Sequence, residues 1–200
     1  MPFQHLIARQ ARTHHPKTSA QMRFESNKCA IRLACIGARD TGALIIGHRQ
    51  FPCVIGRSGR VARKREGDGG TPFGRHSFSY LLTRPDKKCS RHVPHGFGST
   101  PTNIRADDGW CDDPGSQAYN KPIPHPNSIG HEKMWRHDHL YDLVVPLNFN
   151  DGPVLKGRGS AIFFHICHQD RRPTEGCIAV SMPDMLKILA SCGAKPVILV

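Results

Sequence analysis

The sequence of 200 residues is long enough for one domain with a sizeable core, and its 28 Lys and Arg against 16 Asp and Glu give a net charge of +12. This charge favours anionic partners, but the basic residues are not interleaved with aromatic side chains and no nucleic-acid-binding motif occurs, so we expect no nucleic-acid partner. No apolar run approaches the ~20 residues of a membrane-spanning helix. The 19 Gly and 16 Pro residues favour a loop-rich β protein over a helical bundle.

Residues 1–26 are charged and show no hydrophobic periodicity, which predicts a disordered or loosely packed basic tail before a single domain over residues 27–200. Residues 1–20 contain no apolar run long enough for the core of a secretory signal, so no export signal is visible. The eight cysteines are scattered without a paired framework, which favours free thiols and a reducing compartment.

Short apolar runs separated by Gly and Pro predict β-strands along most of the domain. The position of Pro146 indicates an edge strand or a bulge. Together these runs predict a mainly β fold, a mostly antiparallel sheet or barrel. The predicted strands are Cys29–Ile36, Ala43–Ile46, Phe51–Ile55, His76–Leu82, Tyr141–Leu147, Ala161–Phe164, Ile178–Val180 and Pro196–Val200.

Two helices are predicted. The first is short, begins at Ser128 as N-cap and ends near Arg136; its Trp135 is as consistent with a core position as with a substrate contact. The second follows Ser181, which is a plausible N-cap, and Gly193 is its expected stop. Its first turn and its apolar face are formed by Pro183, Asp184, Met185, Ile188, Leu189 and Cys192.

Two long polar segments separate the predicted strands. Gly56 to Gly74 carries five basic residues and several glycines, but the Walker pattern of a phosphate-binding loop is absent, so we interpret most of its charges as solvated. Pro85 to Pro126 contains Asp107, Asp108, Asp112 and Asp113, whose spacing does not fit an EF-hand calcium loop. We interpret this second segment either as capped turns or as a substrate wall that includes Trp110.

The candidate chemistry lies between Gly157 and Ser181. An apolar strand delivers His165 at its end, and a polar loop leads to Thr174-Glu175-Gly176-Cys177, which places the cysteine twelve residues after the histidine. A nearby imidazole can take the proton of a thiol and produce the nucleophilic thiolate. Because glycine lets a carbonyl approach the backbone closely, the N–H groups of Gly176 and Cys177 are candidates for binding a developing oxyanion.

Two other interpretations of this cysteine stay open. A cysteine among apolar residues is more often a buried small side chain than a nucleophile. A zinc site is the other option, since His165, Cys167, His168 and Cys177 are all zinc-ligand types. However, His165 and Cys167 would share one face of a strand while His168 points away, and no Cys-x-x-Cys pair occurs. We therefore predict no metal and no cofactor.

The segment resembles the catalytic signature of the L,D-transpeptidase (YkuD-like) family, in which a His is followed by a loop and then by Ser/Thr-His-Gly-Cys. His165, Thr174, Gly176 and Cys177 match this signature, whereas Glu175 replaces the second His. Ala179 stands where many members carry Arg. The stretch Thr71-Pro72-Phe73-Gly74 is similar to the Thr-Pro-x-Gly turn found early in these domains, so two matches occur in the family's order.

The resemblance implies a YkuD-like β-sandwich or barrel with a few short helices, and a cysteine acyltransferase that acts on peptidoglycan stem peptides. Cys177 would form a thioester with the third residue of a tetrapeptide stem, His165 would be base and then acid, and an amine or water would accept the acyl group. A Glu175 carboxylate near the imidazole would favour its charged form. The candidate substrate contacts are Thr174, Glu175, Trp110, Arg158, Trp135 and Arg136.

The resemblance also implies a location in the cell envelope, and we expect a monomer. Four rival functions are a cysteine amidase or hydrolase of cell-wall peptides, a sortase, a zinc-binding hydrolase and a non-catalytic module that binds an anionic polymer. A sortase needs an Arg on a strand after its cysteine, and no Arg follows Cys177.

Overall fold

The computed structural model describes residues 30–94, 100–193 and 196–200. The predicted tail over residues 1–26 lies outside the described residues. The described chain is mainly β, as the sequence predicts, with one α-helix, α1 (Met182–Ser191), and one 3₁₀ helix (Lys88–His92). Its strands are β1 Ala30–Cys35, β2 Thr41–Ile46, β3 Arg49–Val54, β4 Arg60–Val61, β5 Thr71–Pro72, β6 Arg75–Ser77, β7 Leu82–Thr83, β8 Thr102–Asn103, β9 Asp108–Cys111, β10 Pro122–Pro124, β11 His131–Lys133, β12 Leu143–Pro146, β13 Phe163–Ile166, β14 Ile178–Val180 and β15 Val197–Leu199.

One large sheet organises the domain. Its ten strands lie in the order β6-β15-β1-β2-β3-β14-β13-β12-β7-β8. Most neighbours are antiparallel, as predicted, but β1 and β15, β13 and β14, and β7 and β8 are parallel pairs. Two smaller sheets, β10-β9-β11 and β4-β5, stand beside it.

The centre of the large sheet is covered on both faces. Every residue of β12 and β13 is buried, which fits strands with apolar contacts on both sides. On one face, Phe164 of β13 joins the main core with Met185 and Ile188 of α1. On the other face, Phe163 joins a second apolar cluster with Trp110 of β9. The alternation of a strand therefore sends neighbouring residues of β13 into two different cores.

The helix after β14 begins as predicted. The backbone N–H of Asp184 donates to the Ser181 side chain, which is the N-cap, and Pro183 lies in the first turn. Met185, Ile188 and Leu189 form its buried face. Within the described residues, no helix combines the length and the apolar character needed to cross a membrane.

Two local predictions are wrong, and one of the two alternatives for Pro146 is excluded. The helix from Ser128 to Arg136 does not form, because its central residues are β11, which pairs with β9. The predicted strand His76–Leu82 is split into β6 and β7, and Leu81 rather than Leu82 is fully buried. Pro146 does not mark an edge, since β12 lies between β13 and β7. The alternative, a bulge, agrees with the register: Val144 pairs with Leu82 and Leu147 with Phe78, so the segment opposite Pro146 has one extra residue.

The basic segment from Gly56 to Gly74 is more ordered than predicted. It contains the parallel pair β4-β5 and folds back on itself. Arg63 and Arg65 are exposed, as predicted, but Lys64 between them is only 4% exposed. The side chain of Lys64 therefore points into the protein, where two glycines leave room for it.

Candidate active site

Cys177 lies immediately before β14, beside the first residue of β13. In the parallel register of these strands, Phe164 faces Ile178 and His165 faces Ala179. Cys177 is therefore level with Phe163, and His165 lies two residues further along the neighbouring strand. The loop after β13 carries the chain back along the whole strand before β14 starts, which makes the pair parallel and brings the cysteine next to the strand that bears the histidine.

The sulfur and the imidazole belong to the same face of the sheet. Phe163 and His165 alternate with Phe164 and Ile166, which point into the main core. Cys177 packs against the second cluster, which contains Phe163 and Tyr141. The Tyr141 ring is 5.8 Å from the Phe163 ring and 5.3 Å from the His165 ring, both edge-on. Cys177 is partly exposed, so the cysteine is not sealed inside the core.

His165 is buried and held by the backbone. Its ring is 5% exposed, and Nδ1 lies 2.8 Å from the carbonyl oxygen of Ile166. A proton on Nδ1, donated to this carbonyl, leaves Nε2 as the nitrogen that can accept a proton. Burial lowers the pKa of His165 to about 4, although hydrogen bonds to the backbone of Ile166 and Leu140 act in the opposite direction. The imidazole is therefore neutral at pH 7.

The thiol of Cys177 is also neutral. Its Sγ donates to the carbonyl of Ala161 at 3.3 Å and accepts from the N–H of Phe163 at 3.4 Å. Burial raises the pKa of this thiol to about 12, while the Phe163 N–H acts to lower it. The resting site thus contains a thiol and an imidazole rather than a thiolate and an imidazolium.

Asn120 holds Ala161, the residue whose carbonyl binds the sulfur, although from the sequence Asn120 is only a loop position. Its Oδ1 accepts from Ala161 N and from Trp110 Nε1, each at 3.0 Å, and its Nδ2 donates to the carbonyls of Phe149 and Asn150. Ala161 has a φ of 50°, in the left-handed region that a non-glycine residue rarely adopts. Such strained residues occur often at functional sites, where surrounding hydrogen bonds hold them.

Thr174 orders the turn that carries the cysteine. Its Oγ1 accepts from Gly176 N at 3.2 Å and donates to the carbonyl of Cys177 at 2.7 Å. Of the two N–H groups predicted to bind an oxyanion, that of Gly176 is therefore used by Thr174, which leaves the Cys177 N–H as the backbone donor of the pair. Gly176 has a φ of 137°, and a Cβ there would lie 2.8 Å from the carbonyl oxygen of Gly70. This position requires glycine.

The two sequence matches to the family meet through Gly56. Gly56 N donates to Thr71 Oγ1 of the Thr-Pro-x-Gly turn at 2.9 Å, and Gly56 forms a parallel bridge with Thr174. Arg57 N donates to Thr174 O and Thr174 N donates to Ile55 O, each at 2.9 Å. The turn near residue 71 therefore supports the loop that bears Cys177.

Glu175 does not act on the imidazole. Both of its carboxylate oxygens accept from Arg57 Nε, at 3.0 and 2.9 Å, and the two side chains are 50% and 74% exposed for Arg57 and Glu175. The expectation that Glu175 would favour a charged His165 is therefore wrong, because the carboxylate faces solvent and Arg57 while the imidazole is buried and neutral.

The other candidate substrate contacts lie in different surroundings. Trp110 is 9% exposed and lines a cavity of about 210 Å³ together with Asn120. The guanidinium of Arg84 stacks 3.7 Å from the Trp135 ring. Arg136 binds Asp138 at 2.8 and 2.7 Å and Glu132 at 2.7 Å. Arg158 is exposed in the turn before β13. A substrate contact stays a prediction for each of them.

The alternative metal sites can be compared with the observed side chains. Within residues 30–94, 100–193 and 196–200, no group of three or more His, Cys, Asp or Glu side chains is arranged to hold a metal ion. His168, one of the zinc candidates, binds Asp170 at 2.7 Å. In the aspartate-rich segment, Asp108 accepts from Arg105 N at 2.8 Å and Asp113 from Gly115 N at 2.8 Å, which are turn-capping contacts.

Sequence reasoning missed three residues that surround the cysteine. Asn120 and Lys64 had no local pattern that distinguishes them from loop residues, and Tyr141 looked like the first residue of a strand. Tyr141 is 7% exposed, and Arg136 lies 5.1 Å from its ring. Burial raises its pKa well above the ordinary value, with the nearby Glu132 acting in the same direction. Only the contacts between distant segments identify these side chains.

The comparison with protein families agrees with this geometry. The family model of the YkuD L,D-transpeptidase catalytic domain matches residues 44–199, which is more than half of the chain and contains both His165 and Cys177. A search of curated proteins found no match.

Proposed function

Because the chain belongs to the YkuD family of L,D-transpeptidase catalytic domains, we propose that it is a cysteine acyltransferase that acts on peptidoglycan stem peptides. The observation that supports this proposal most directly is the common face shared by Cys177 and His165 on adjacent strands. The family membership, together with the fold, also supports a location in the cell envelope, and we expect the protein to act as a monomer.

The proposed reaction begins with both groups neutral. The sulfur of Cys177 attacks the carbonyl carbon of the third residue of a tetrapeptide stem, its proton moves to Nε2 of His165, and the carbonyl π electrons move to oxygen. The oxyanion is bound by the Cys177 N–H. The C–N bond then breaks, His165 returns the proton to the departing amine of D-alanine, and a thioester remains on Cys177.

The second half of the reaction regenerates the enzyme. An amine of a neighbouring stem attacks the thioester carbonyl, gives its proton to His165 and forms a 3→3 cross-link, and the sulfur leaves as the thiol after it takes that proton back. If water is the acceptor, the same steps release a tripeptide stem and the enzyme is a carboxypeptidase. The Ile166 carbonyl supports both steps because it accepts the hydrogen bond from Nδ1–H and stabilises the imidazolium that forms.

Substrate contacts are assigned on the basis of position. Thr174 is proposed to hold the turn that presents Cys177, since its hydroxyl binds both sides of that turn. The Arg57–Glu175 pair stands at the exposed side of the same turn. We propose that Arg57 of this pair and the exposed Arg158 bind the carboxylates of the stem, because guanidinium groups bind carboxylates in a planar, bidentate way.

Mass spectrometry of the purified protein with a tetrapeptide muropeptide tests the proposal. We expect a covalent adduct equal in mass to the acyl tripeptide stem on the peptide that contains Cys177, followed by a cross-linked or hydrolysed product. The matched control is Cys167→Ser, a partly exposed cysteine of the same loop, which should keep the adduct. Cys177→Ser should lose the adduct and lower turnover by about 10³-fold or more.

The possible products distinguish the rival functions. A cross-linked product with loss of D-alanine supports transpeptidation, and a tripeptide stem alone supports the carboxypeptidase. Turnover that survives in Cys177→Ser would contradict the cysteine mechanism. Binding of the muropeptide without adduct or product would support a non-catalytic module and contradict the proposal.

A further inference from the structure

Lys64 is a buried cation that takes no part in the proton transfers of the proposed reaction. Its side chain is 5% exposed, although its neighbours Arg63 and Arg65 are exposed. Its Nζ binds the carboxylate of Asp68 and lies 3.1 Å from the carbonyl oxygen of Arg65. A lysine has a long stem that normally lets its ammonium reach water, so its burial needs a cause.

Two glycines create the space for this side chain. A Cβ on Gly159 would lie 2.7 Å from Lys64 Cγ, and a Cβ on Gly176 would lie 3.5 Å from Lys64 Nζ. Lys64 therefore passes between the segment that leads into β13 and the residue that precedes Cys177. Its stem is next to Gly159 and its ammonium is next to Gly176, so the positive charge ends beside the residue that precedes the proposed nucleophile.

The counter-charge of Lys64 is itself fixed by the backbone. Asp68 accepts from Arg65 N at 2.7 Å and from Gly70 N at 2.8 Å. Burial alone would raise the pKa of Asp68, but the hydrogen bond from Lys64 and those from the backbone lower it. Asp68 thus stays ionised and holds the ammonium in one place, while Gly70 also contributes the carbonyl that packs against Gly176.

We propose that Lys64 supplies the positive charge that offsets the negative charge on Cys177 as its sulfur becomes a nucleophile. This inference rests on the proposed function, and Lys64 acts through Cys177 as a positioning residue rather than by touching the substrate. A fixed charge in a water-poor site is effective because the surrounding protein screens it less than water does.

Lys64 differs from the other charged side chains around Cys177 in the direction of its effect on the pKa of the thiol. Burial raises the pKa of the thiol most, and Glu132 of β11 and Glu175 of the exposed turn act in the same direction, whereas Lys64 acts to lower it. Tyr141, in the turn before β12, and His165 of β13 are neutral. Arg57 is bound to Glu175 at the surface. Among these side chains, Lys64 is the buried cation.

The test measures the alkylation rate of Cys177 by iodoacetamide against pH, read from its own peptide by mass spectrometry. The variants are Lys64→Gln, whose amide can still bind Asp68, and Lys64→Met, which keeps the length without the charge. The matched control is Lys187→Gln, which breaks an exposed Lys–Asp pair in α1. Because the thiolate is the reacting species, one unit of pKa change appears as a tenfold change in rate below the pKa.

We expect the profile of both Lys64 variants to move to higher pH, with alkylation at pH 8 slowed about tenfold or more, while Lys187→Gln matches the wild type. A purely structural role would change stability but leave the pH profile in place. Superimposed profiles for wild type and Lys64→Gln would overturn the inference; Lys64→Gln decides the question even if Lys64→Met does not fold.

The turnover of Cys177→Ser, measured beside these alkylation profiles, separates this inference from the proposed function. If Cys177→Ser abolishes turnover while the profiles superimpose, only the role of Lys64 is wrong. If the profiles shift while Cys177→Ser keeps its turnover, Lys64 does act on the sulfur, but the cysteine mechanism is wrong.

Discussion

The thiol of Cys177 donates to the carbonyl of Ala161 at 3.3 Å, and Ala161 holds a left-handed φ of 50°. The strained residue and the sulfur therefore share one hydrogen bond. In the proposed reaction this bond must break when the sulfur attacks, so the carbonyl of Ala161 fixes the thiol only in the resting state. Ala161 is in turn held by Asn120, whose Oδ1 accepts from the Ala161 N–H.

Asn120→Ala should lower both stability and activity. The substitution removes an acceptor from Ala161 N and Trp110 Nε1, and a donor to two carbonyls. Since Asn120 is 4% exposed, we expect a loss of about 2–4 kcal/mol in the free energy of unfolding, measured by urea denaturation. Asn127, an exposed residue of the β10–β11 loop, is the matched control, and Asn127→Ala should stay within about 0.5 kcal/mol. Equal effects of the two variants would contradict the role of Asn120.

Thr174→Val should separate the hydroxyl from the shape of the side chain. Valine keeps the volume but cannot accept from Gly176 N or donate to Cys177 O. We expect a loss of about 1–2 kcal/mol in stability and a slower acylation step, measured as adduct formation in a single turnover. Thr174→Ser restores the hydroxyl and should recover most of the rate. A Thr174→Val protein that forms the adduct at the wild-type rate would show that the turn does not depend on this hydroxyl.

Gly176→Ala should be much more damaging than an alanine at another left-handed glycine. At Gly176 the new Cβ would lie 2.8 Å from the carbonyl oxygen of Gly70, at a φ of 137°. At Gly47, in the turn between β2 and β3, φ is 59° and nothing lies within 4 Å of the new Cβ. We expect Gly47→Ala to cost about 1 kcal/mol and Gly176→Ala about 3 kcal/mol or more, both measured by urea denaturation. Equal costs would mean that the Gly70 contact relaxes freely.

His165 should make the stability of the fold depend on pH. Its pKa is about 4 in the folded protein against an ordinary value of 6.5, so between these values the unfolded chain binds more protons than the native state. The free energy of unfolding should therefore fall as the pH falls from 6.5 to 4, by about 3 kcal/mol from this group. His165→Gln cannot titrate and should flatten that part of the curve relative to the wild type.

The control for this pH measurement is His137→Gln, which changes an exposed histidine in the turn after β11. Its unfolding curve should follow the wild type across the same window. If His165→Gln and wild type lose stability in parallel from pH 6.5 to 4, the imidazole is not buried in its neutral form.

Local sequence patterns were enough for several features of this protein. The alternation of apolar residues predicted most strands of the large sheet, and Ser181 with Pro183 predicted the start of α1, because these signals act over one or two turns of chain. The same logic failed at residues 128–136, where the pairing of β11 with β9 decided the structure.

The amino-acid sequence alone determined that the domain is mainly β and which segment carries the candidate cysteine and histidine. Only the tertiary structure decided that β14 returns parallel to β13, that Asn120 holds Ala161 and that Lys64 ends beside Gly176. The physical reason is the range of the interactions. Periodicity and capping depend on near neighbours in the chain, whereas the surroundings of Cys177 are assembled from segments more than forty residues apart, whose contacts exist only once the sheet order is formed.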